Sequence, residues 1–247
     1  MQIPPNNKKL YDAIFGFAIG DALGVPYEFQ NRGSFYCTDL IGYGCHHQPA
    51  GTWSDDTSMT LATLKSLKEN KGKINIEDIR KRFLSWLHEN AFTANGEVFD
   101  IGHATYEALT SGKPCTGERS NGNGSLMRIL PLAFVECTDE EIRAVSAITH
   151  GHWISKEACV IYVHVAKRLL AGEDILDILP TLQYAKPFDR LHRIHQLGRS
   201  EIRSSGYVVD TLEAALWAII HGLGNRGEQW LERLRNKDLI LECLWKD

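Results

Sequence analysis

Two adjacent carboxylates flanked by hydroxyl side chains form the strongest chemical motif of the sequence. Gly51 to Met59 reads Gly-Thr-Trp-Ser-Asp-Asp-Thr-Ser-Met, and an apolar pattern of helical spacing follows. Ser54 suits a helix N-cap, and acids in a first turn oppose the positive end of the helix dipole. The oxygens of Ser54, Asp55 and Asp56 could instead provide part of the octahedral shell of Mg²⁺ or Mn²⁺. This motif alone leaves both interpretations open.

Glu28 is the candidate for a second oxygen donor. It follows the helical stretch Gly-Phe-Ala-Ile-Gly-Asp-Ala-Leu-Gly-Val-Pro-Tyr, whose glycines at 16, 20 and 24 share one face. Such a face predicts the close approach of another backbone, or simply tight helix packing. Asp21, on the same helix, is predicted to support the site or to cap a helix.

A loop rich in glycine and asparagine could bind an anion. Residues 120–125 read Ser-Asn-Gly-Asn-Gly-Ser and precede the apolar run 126–132. Small side chains leave backbone N–H groups free to face a diphosphate, although a plain surface turn uses the same residues. His150 follows an apolar helical stretch, where a lone histidine is usually structural.

The composition favours a single domain and gives no indication of a nucleic-acid partner. The 247 residues are 43% hydrophobic and carry a net charge of -4, which suits one substantial core and gives no basic excess for nucleic acid. No run approaches the ~20 apolar residues of a membrane span, and the first residues lack a secretory pattern, so a cytoplasmic protein is expected. Six cysteines without a Cys-x-x-Cys pair suit a reducing compartment. Cys45, His46 and His47 are adjacent, and a chance cluster is favoured over a zinc site.

Apolar residues recur at helical spacing along most of the chain, which predicts an all-α fold. Helices are predicted to begin at Ser54, at Thr138 with Glu141 three residues on, and at Ser155. Their ends are predicted at glycines: Gly24, Gly72, Gly112, Gly151, Gly172 and Gly222. Residues 34–41 are ambiguous between strand and loop. The loops 25–53 and 111–125 exceed the usual length, which favours a binding role.

Several motifs, in order along the chain, resemble the ADP-ribosylglycohydrolase family, which includes the bacterial dinitrogenase reductase-activating glycohydrolases. They are GFAIGDALGVPYEF, GTWSDDTSM, FDIGHATYEAL, NGNGSLMRILPLA, AITHGH and SGYVVDTLEAALWA. The similarity covers about residues 10–218 and resumes at 229–240. It implies an all-helical fold around two Mg²⁺ or Mn²⁺ ions, with an ADP-ribosylated protein or small molecule as substrate.

The resemblance also implies roles for individual residues. Ser54, Asp55 and Asp56 match metal ligands, with serine where threonine is more usual. Glu28 matches the acid near the metals and the attacked sugar carbon, so Glu28, Asp55 and Asp56 are the implied catalytic residues. The implied substrate-binding residues are Asp100, Asn121, Gly122, Asn123, Gly124, His150 and Tyr207. For Asp100, an N-cap of the following helix is an equally good explanation.

The second half of the family's metal site is absent from the sequence. Relatives carry Gly-Gly-Asp-x-Asp-Thr shortly after the helix that corresponds to 211–220, whereas this chain passes almost at once to the closing helix. The single domain, 1–247, is therefore predicted to lack an internal segment near 219–228, which leaves ligands for one ion or none. A natural deletion, an engineered deletion and an incomplete sequence each explain this.

Metal-dependent hydrolysis of the bond between ADP-ribose and its acceptor is the implied function. Glu28 or an aspartate would orient or deprotonate the attacking water. The alternative is an ADP-ribose-binding pseudoenzyme; the carboxylate cluster argues against a purely structural protein. The acceptor stays open among arginine, serine, a nucleic-acid end and a metabolite.

Overall fold

The structure, a computed structural model, describes residues 5–222 and is helical in most of them. Its α-helices are α1 Pro5–Gly24, α2 Asp55–Glu69, α3 Ile76–Glu89, α4 His103–Ser111, α5 Asp139–Ser146, α6 Trp153–Leu170, α7 Ile175–Ile178 and α8 Val208–Gly222. Short 3₁₀ helices lie between them, at Val25–Tyr27, Gly44–His46, Asn123–Arg128, Leu130–Phe134, Leu179–Thr181, Asp189–Gln196 and Arg199–Glu201. The predicted all-α fold is confirmed, and residues 34–41 form an irregular loop rather than a strand.

Helix α6 lies at the centre of the packing. α5, α8 and the 3₁₀ segments between 123 and 134 all contact it, and α2 packs against α3 and against the same 3₁₀ segments. Fully buried apolar side chains join these elements, including Ala158 and Val163 of α6, Met59 of α2, Phe83 of α3 and Leu212 of α8. A helix that is apolar on several faces needs neighbours on each of them. This core holds the 123–128 segment against α2.

The predicted caps of two helices are confirmed, and that of a third is wrong. Ser54 Oγ accepts a hydrogen bond from Asp56 N at 3.3 Å, and Thr138 forms a reciprocal capping box at the start of α5. α6 begins earlier than predicted, at Trp153, where His152 Nδ1 accepts from Ile154 N at 3.3 Å. The predicted start, Ser155, is a buried residue inside the first turn.

Glycine marks most of the predicted helix ends. α1 ends at its predicted glycine, Gly24, and Gly112 is the left-handed C-cap of α4. Gly222 is the last described residue, so the predicted end of α8 there lies at the limit of the described residues. Gly72 and Gly172 follow the last residues of α2 and α6 by three and two positions. Gly151 does not end a helix, because α5 stops at Ser146 and the Gly151 N–H donates to Cys115 O at 2.8 Å.

The glycine face of α1 is not closely approached by another backbone. A Cβ atom placed on Gly16, Gly20 or Gly24 would meet no described atom within 4 Å. The prediction of a close backbone contact there is therefore wrong for the described part of the chain. Small residues permit an approach, but they do not require one.

Two further predictions concern the chain as a whole. Among residues 5–222, no helix combines the length and the apolar character that crossing a membrane would need. The predicted gap near 219–228 falls mostly outside the described residues, which extend to 222 within α8.

Candidate active site

Asp21 of α1 fixes the start of α2. Its carboxylate accepts hydrogen bonds from the backbone N–H groups of Ser54 (3.0 and 3.1 Å) and Thr57 (3.0 Å). The hydroxyls of the same two residues donate to it at 2.8 and 2.6 Å. Burial raises the pKa of Asp21, although these hydrogen bonds act to lower it. Asp21 therefore satisfies first-turn N–H groups of α2 from a different helix, which agrees with its predicted capping role.

Asp55 and Asp56 stand in this first turn, close to other acids. Asp55 is only 5% exposed, and its pKa is raised well above the ordinary range by burial and then by the charges of Asp56 and Asp100. Burial, followed by the charges of Asp21 and Glu28, raises the pKa of Asp56 to about 7. Five carboxylates thus act on one another, and such repulsion favours either protonation or a bound cation.

His46 connects Glu28 to Asp100. Its Nε2 lies 2.5 Å from Glu28 Oε2 and 3.6 Å from Asp100 Oδ1. Burial and the charge of Asp100 raise the pKa of Glu28 to about 8. Nothing in the sequence pattern assigns His46 to this site, because its contact with Glu28 joins positions eighteen residues apart through an irregular loop.

Asp100 faces the acids and does not cap the next helix. Its backbone is left-handed, with φ 56°, and the N-cap of α4 is Gly102. The capping explanation for Asp100 is therefore wrong. Its carboxylate contributes to the raised pKa values of Glu28, Asp55 and Asp56.

Gly44 allows the loop that carries His46 to lie against the turn before Glu28. Its φ is 64°, and an added Cβ would lie 2.2 Å from the Pro26 carbonyl oxygen. The Tyr43 N–H also donates to Gln48 O at 2.5 Å, which closes the loop on itself. Only glycine fits this backbone conformation and this contact without strain.

The glycine and asparagine loop is attached to the turn before α8. Asn123 N donates to Gly206 O at 3.0 Å, and Val208 N donates to Asn121 O at 3.0 Å. Gly122 and Tyr207 form an isolated antiparallel bridge between these hydrogen bonds. The half-buried Tyr207 also packs against the core. Four of the predicted substrate-binding residues thus lie side by side: Asn121, Gly122, Asn123 and Tyr207.

His150 is buried beneath this loop. A Cβ on Gly124 would lie 2.7 Å from His150 Cε1 and 3.2 Å from its Nε2, so glycine is required at 124 for the ring to sit there. His150 Nδ1 lies 2.8 Å from Thr149 Oγ1, which also accepts from Arg128 Nη2 at 2.7 Å. Arg128 can only donate, so the Thr149 hydroxyl proton is available to Nδ1. This pattern favours the imidazole tautomer with its proton on Nε2, directed toward the loop.

Burial determines the charges of this network. Desolvation, aided by the charge of Arg128, lowers the pKa of His150 to about 3, so its ring is neutral at pH 7. Burial lowers the pKa of Arg128 to about 10, so its guanidinium remains charged, over the face of Phe83 at 4.5 Å. Neither Arg128 nor Thr149 stood out in the sequence, since nothing in the pattern predicts a fully buried arginine.

The predicted site residues therefore form two groups. The first, the acid cluster, is Asp21, Glu28, Asp55, Asp56 and Asp100, with Ser54 at its base. The second, the loop group, is Asn121, Gly122, Asn123, Gly124, His150 and Tyr207. Thr60 Oγ1 of α2 donates to Met127 O at 3.1 Å, so the segment after the loop packs on the helix that carries the acids. The molecule is an all-helical protein with a carboxylate cluster and a glycine-rich loop on neighbouring elements.

Comparison with known proteins identifies the family. The ADP-ribosylglycohydrolase family model matches residues 4–242, and the chain belongs to this family. It is 34% identical over 223 residues to an ADP-ribosylarginine hydrolase of Pseudomonas putida, which covers 84% of this chain and 60% of that protein. It is 29% identical over 228 residues to an ADP-ribosyl-[dinitrogen reductase] glycohydrolase of Rhodospirillum rubrum, over 86% of this chain and 74% of that protein.

A solved structure supports the same grouping. An ADP-ribosylglycohydrolase-related protein complex is similar with a TM-score of 0.66 and 30% identity, over 85% of this chain and 74% of that chain. The chain spans 60% and 62% of the lengths of the two ADP-ribosylarginine hydrolases it matches, from Pseudomonas putida and Serratia proteamaculans.

Proposed function

We propose that this protein hydrolyses the glycosidic bond between ADP-ribose and an acceptor, with Mg²⁺ or Mn²⁺ required. The observation that carries the proposal is the acid cluster. It brings the buried Asp55 and the half-buried Asp56 of α2 together with the half-buried Asp21 of α1, and α2 also supports the loop group. Carboxylates are costly to bury unless a cation or a proton compensates them. A hydrolase with a polyanionic ligand explains both groups of residues.

The donor set suits a hard divalent cation. The acid cluster offers carboxylate oxygens, with the Ser54 hydroxyl at its base, and such ions prefer oxygen ligands. We infer that Ser54, Asp55, Asp56 and Glu28 hold the ion. When bound, it would supply positive charge to the ribose oxygens and lower the pKa of a nearby water.

Residues of the chain itself would activate the water and bind the substrate. Glu28, whose Oε2 is held by His46 at 2.5 Å, would take a proton from the attacking water. Its raised pKa, about 8, suits a base that works near neutral pH once a cation stabilises the ionised form. The Nε2–H of His150 and the backbone N–H groups of Asn121, Gly122 and Gly124 would hold the diphosphate or a ribose oxygen, while the Asn123 N–H donates to Gly206 O.

The proposed acceptor is arginine in a protein. The support is the naming of relatives, since one is an ADP-ribosylarginine hydrolase and another acts on ADP-ribosylated dinitrogen reductase. The competing function is an ADP-ribose-binding pseudoenzyme. It draws on one specific observation, the absence from the sequence of the family's Gly-Gly-Asp-x-Asp-Thr segment.

The test is release of ADP-ribose from an ADP-ribosylarginine protein with Mg²⁺, with Mn²⁺ and with a chelator. Asp55→Asn is compared with Asp12→Asn, the same chemical change at a 59% exposed surface position. We expect metal-dependent release that Asp55→Asn abolishes and Asp12→Asn leaves intact. Glu28→Gln should lower kcat by about 10²–10⁴-fold, the usual contribution of a general base. Binding of ADP-ribose without release under any metal would support the pseudoenzyme instead.

A further inference from the structure

The fold places the side chain of Glu28 beside those of Cys45 and His46. One ligand atom from each of Glu28, Cys45 and His46 lies within 4.8 Å of the other two. The sequence pattern offered the Cys-His pair alone, and the fold places the Glu28 carboxylate beside it. Sulfur, nitrogen and oxygen donors from the two ends of one long loop thus come close together.

We propose that Glu28, Cys45 and His46 form a site for Zn²⁺ or a similar thiolate-binding ion. This site differs from the one that Asp55 and Asp56 would provide for Mg²⁺ or Mn²⁺. Because both sites use Glu28, an ion held by Cys45 and His46 withdraws Glu28 from hydrolysis. That inhibitory consequence rests on the proposed function, whereas the binding itself does not.

The donor types distinguish this site from the acid cluster. Thiolate and imidazole ligands suit zinc, while Mg²⁺ keeps to oxygen and gives up its water reluctantly. Ligand bonds to zinc are about 2.0–2.3 Å, so neighbouring ligand atoms of a tetrahedron lie about 3.3–3.6 Å apart. Separations of up to 4.8 Å need only small side-chain rotations to reach this arrangement.

The contact between His46 and Glu28 can open to admit the ion. Their 2.5 Å separation is a hydrogen bond, and it must lengthen by about 1 Å once its proton is replaced by a metal. The Cys45 thiol also gives up its proton, so both protons pass to solvent and no oxidant or reductant is needed. Asp100 Oδ1, 3.6 Å from His46 Nε2, or a water can fill the fourth position.

The surroundings hold the donors in place and leave an entry path. The rings of Phe29 and Phe99 lie 5.8 and 5.3 Å from the His46 ring, on a loop that the Gly44 contact fixes. Cys45 is exposed, so an ion can reach the sulfur from solvent. A partly preformed set of ligands with open access lowers the ordering cost of binding.

The experiment is titration of the untagged protein with Co²⁺, which reports a thiolate ligand by a near-ultraviolet charge-transfer band. Cys45→Ser is compared with Cys37→Ser, which removes another exposed thiol of the same long loop. We expect a band at one equivalent that Zn²⁺ displaces, that Cys37→Ser retains and that Cys45→Ser loses. Zn²⁺ affinity should fall by at least about 10- to 100-fold in Cys45→Ser, because even the loss of a residue that only hydrogen-bonds to a metal ligand has an effect of this size.

Two further variants separate this proposal from the hydrolase proposal. Asp55→Asn should abolish hydrolysis and keep the cobalt band, while His46→Asn should weaken the band and leave the helical circular dichroism unchanged. Absence of the band in the wild-type protein, or its survival in Cys45→Ser, overturns the zinc site. If no acceptor is hydrolysed, the cobalt spectrum still decides the question. If hydrolysis occurs, Zn²⁺ should inhibit the wild-type protein at concentrations that leave Cys45→Ser active.

Discussion

Replacing Thr149 by valine should loosen the buried network that holds His150. The two side chains have nearly the same shape, so the change removes a hydroxyl and keeps the volume. It removes the acceptor 2.7 Å from Arg128 Nη2 and the partner 2.8 Å from His150 Nδ1. Thr149 and Arg128 are fully buried and His150 is 3% exposed, so water cannot take the place of the lost hydroxyl.

The expected cost follows from the groups left without partners. Each buried polar group that loses its partner costs about 1–3 kcal/mol, which gives about 2–6 kcal/mol for Arg128 and His150 together. Arg128 Nε already lacks a hydrogen bond, and its remaining contacts are 3.2 Å to Val145 O and 3.5 Å to Ser146 O. Thr149→Ser keeps the hydroxyl and loses one methyl group, for about 1 kcal/mol. Domains are stable by only about 5–15 kcal/mol in total, so the difference is measurable.

Urea unfolding of both variants tests this, with the Thr149→Ser protein as the matched control. A second measurement is the ¹⁵N chemical shift of the His150 ring, which reports the tautomer. The wild-type protein and the serine variant should carry the proton on Nε2, whereas the valine variant should show a mixture. Equal stability of the two variants, within about 0.5 kcal/mol, would refute the argument that the hydroxyl joins Arg128 to His150.

Three other perturbations follow from the site. In urea unfolding, Gly44→Ala should destabilise the protein by about 1–3 kcal/mol more than Gly33→Ala does. Both glycines have a positive φ, but only a Cβ at position 44 would meet another backbone segment, so equal costs would contradict this contact. Asp21→Asn should lower the free energy of unfolding by about 2 kcal/mol and weaken Mn²⁺ binding measured by calorimetry. Unchanged Mn²⁺ binding would show that the contacts of Asp21 with α2 do not affect the metal site. The raised pKa values of Glu28 (about 8) and Asp56 (about 7) mean that stability present at low pH is lost, without metal, as pH rises through these values. Mn²⁺, which binds the ionised form, should therefore raise Tm more at about pH 8 than at about pH 5, and equal shifts would contradict this.

The helices could be predicted well because the residues that begin and end a helix lie close to it in the sequence. Ser54 and Thr138 sit at positions where a side-chain oxygen accepts from the first turn, and the structure places both as caps. The start of α6 was missed because its cap is a histidine nitrogen, His152, and a serine three residues later looked more suitable. The glycines of α1 misled for a different reason, since a sequence shows where close packing is allowed and not what packs there.

The candidate site could be predicted only in part. The acids of α2 share one sequence motif, and the position of the loop at 121–124 follows from its composition. His46 joins the site through a contact with Glu28 that depends on the left-handed backbone of Gly44, and an isolated glycine in a loop rich in turn residues does not predict this partner. Arg128 could not be predicted, because a charged residue in an apolar run is normally expected at the surface.

The acid cluster lowers the stability of the metal-free protein and, in the proposed function, favours binding of the cation. Burial of Asp55 among Asp56, Asp100, Asp21 and Glu28 raises the free energy of the ionised, metal-free fold, and the apolar core must offset this cost. Asp21 could relieve this repulsion by moving away, but four hydrogen-bonding groups of Ser54 and Thr57 hold its carboxylate at the start of α2. The same arrangement means that a divalent cation gains from carboxylates already brought together. The clustered acids that destabilise the ionised protein without metal are thus the groups that would give the cation its affinity.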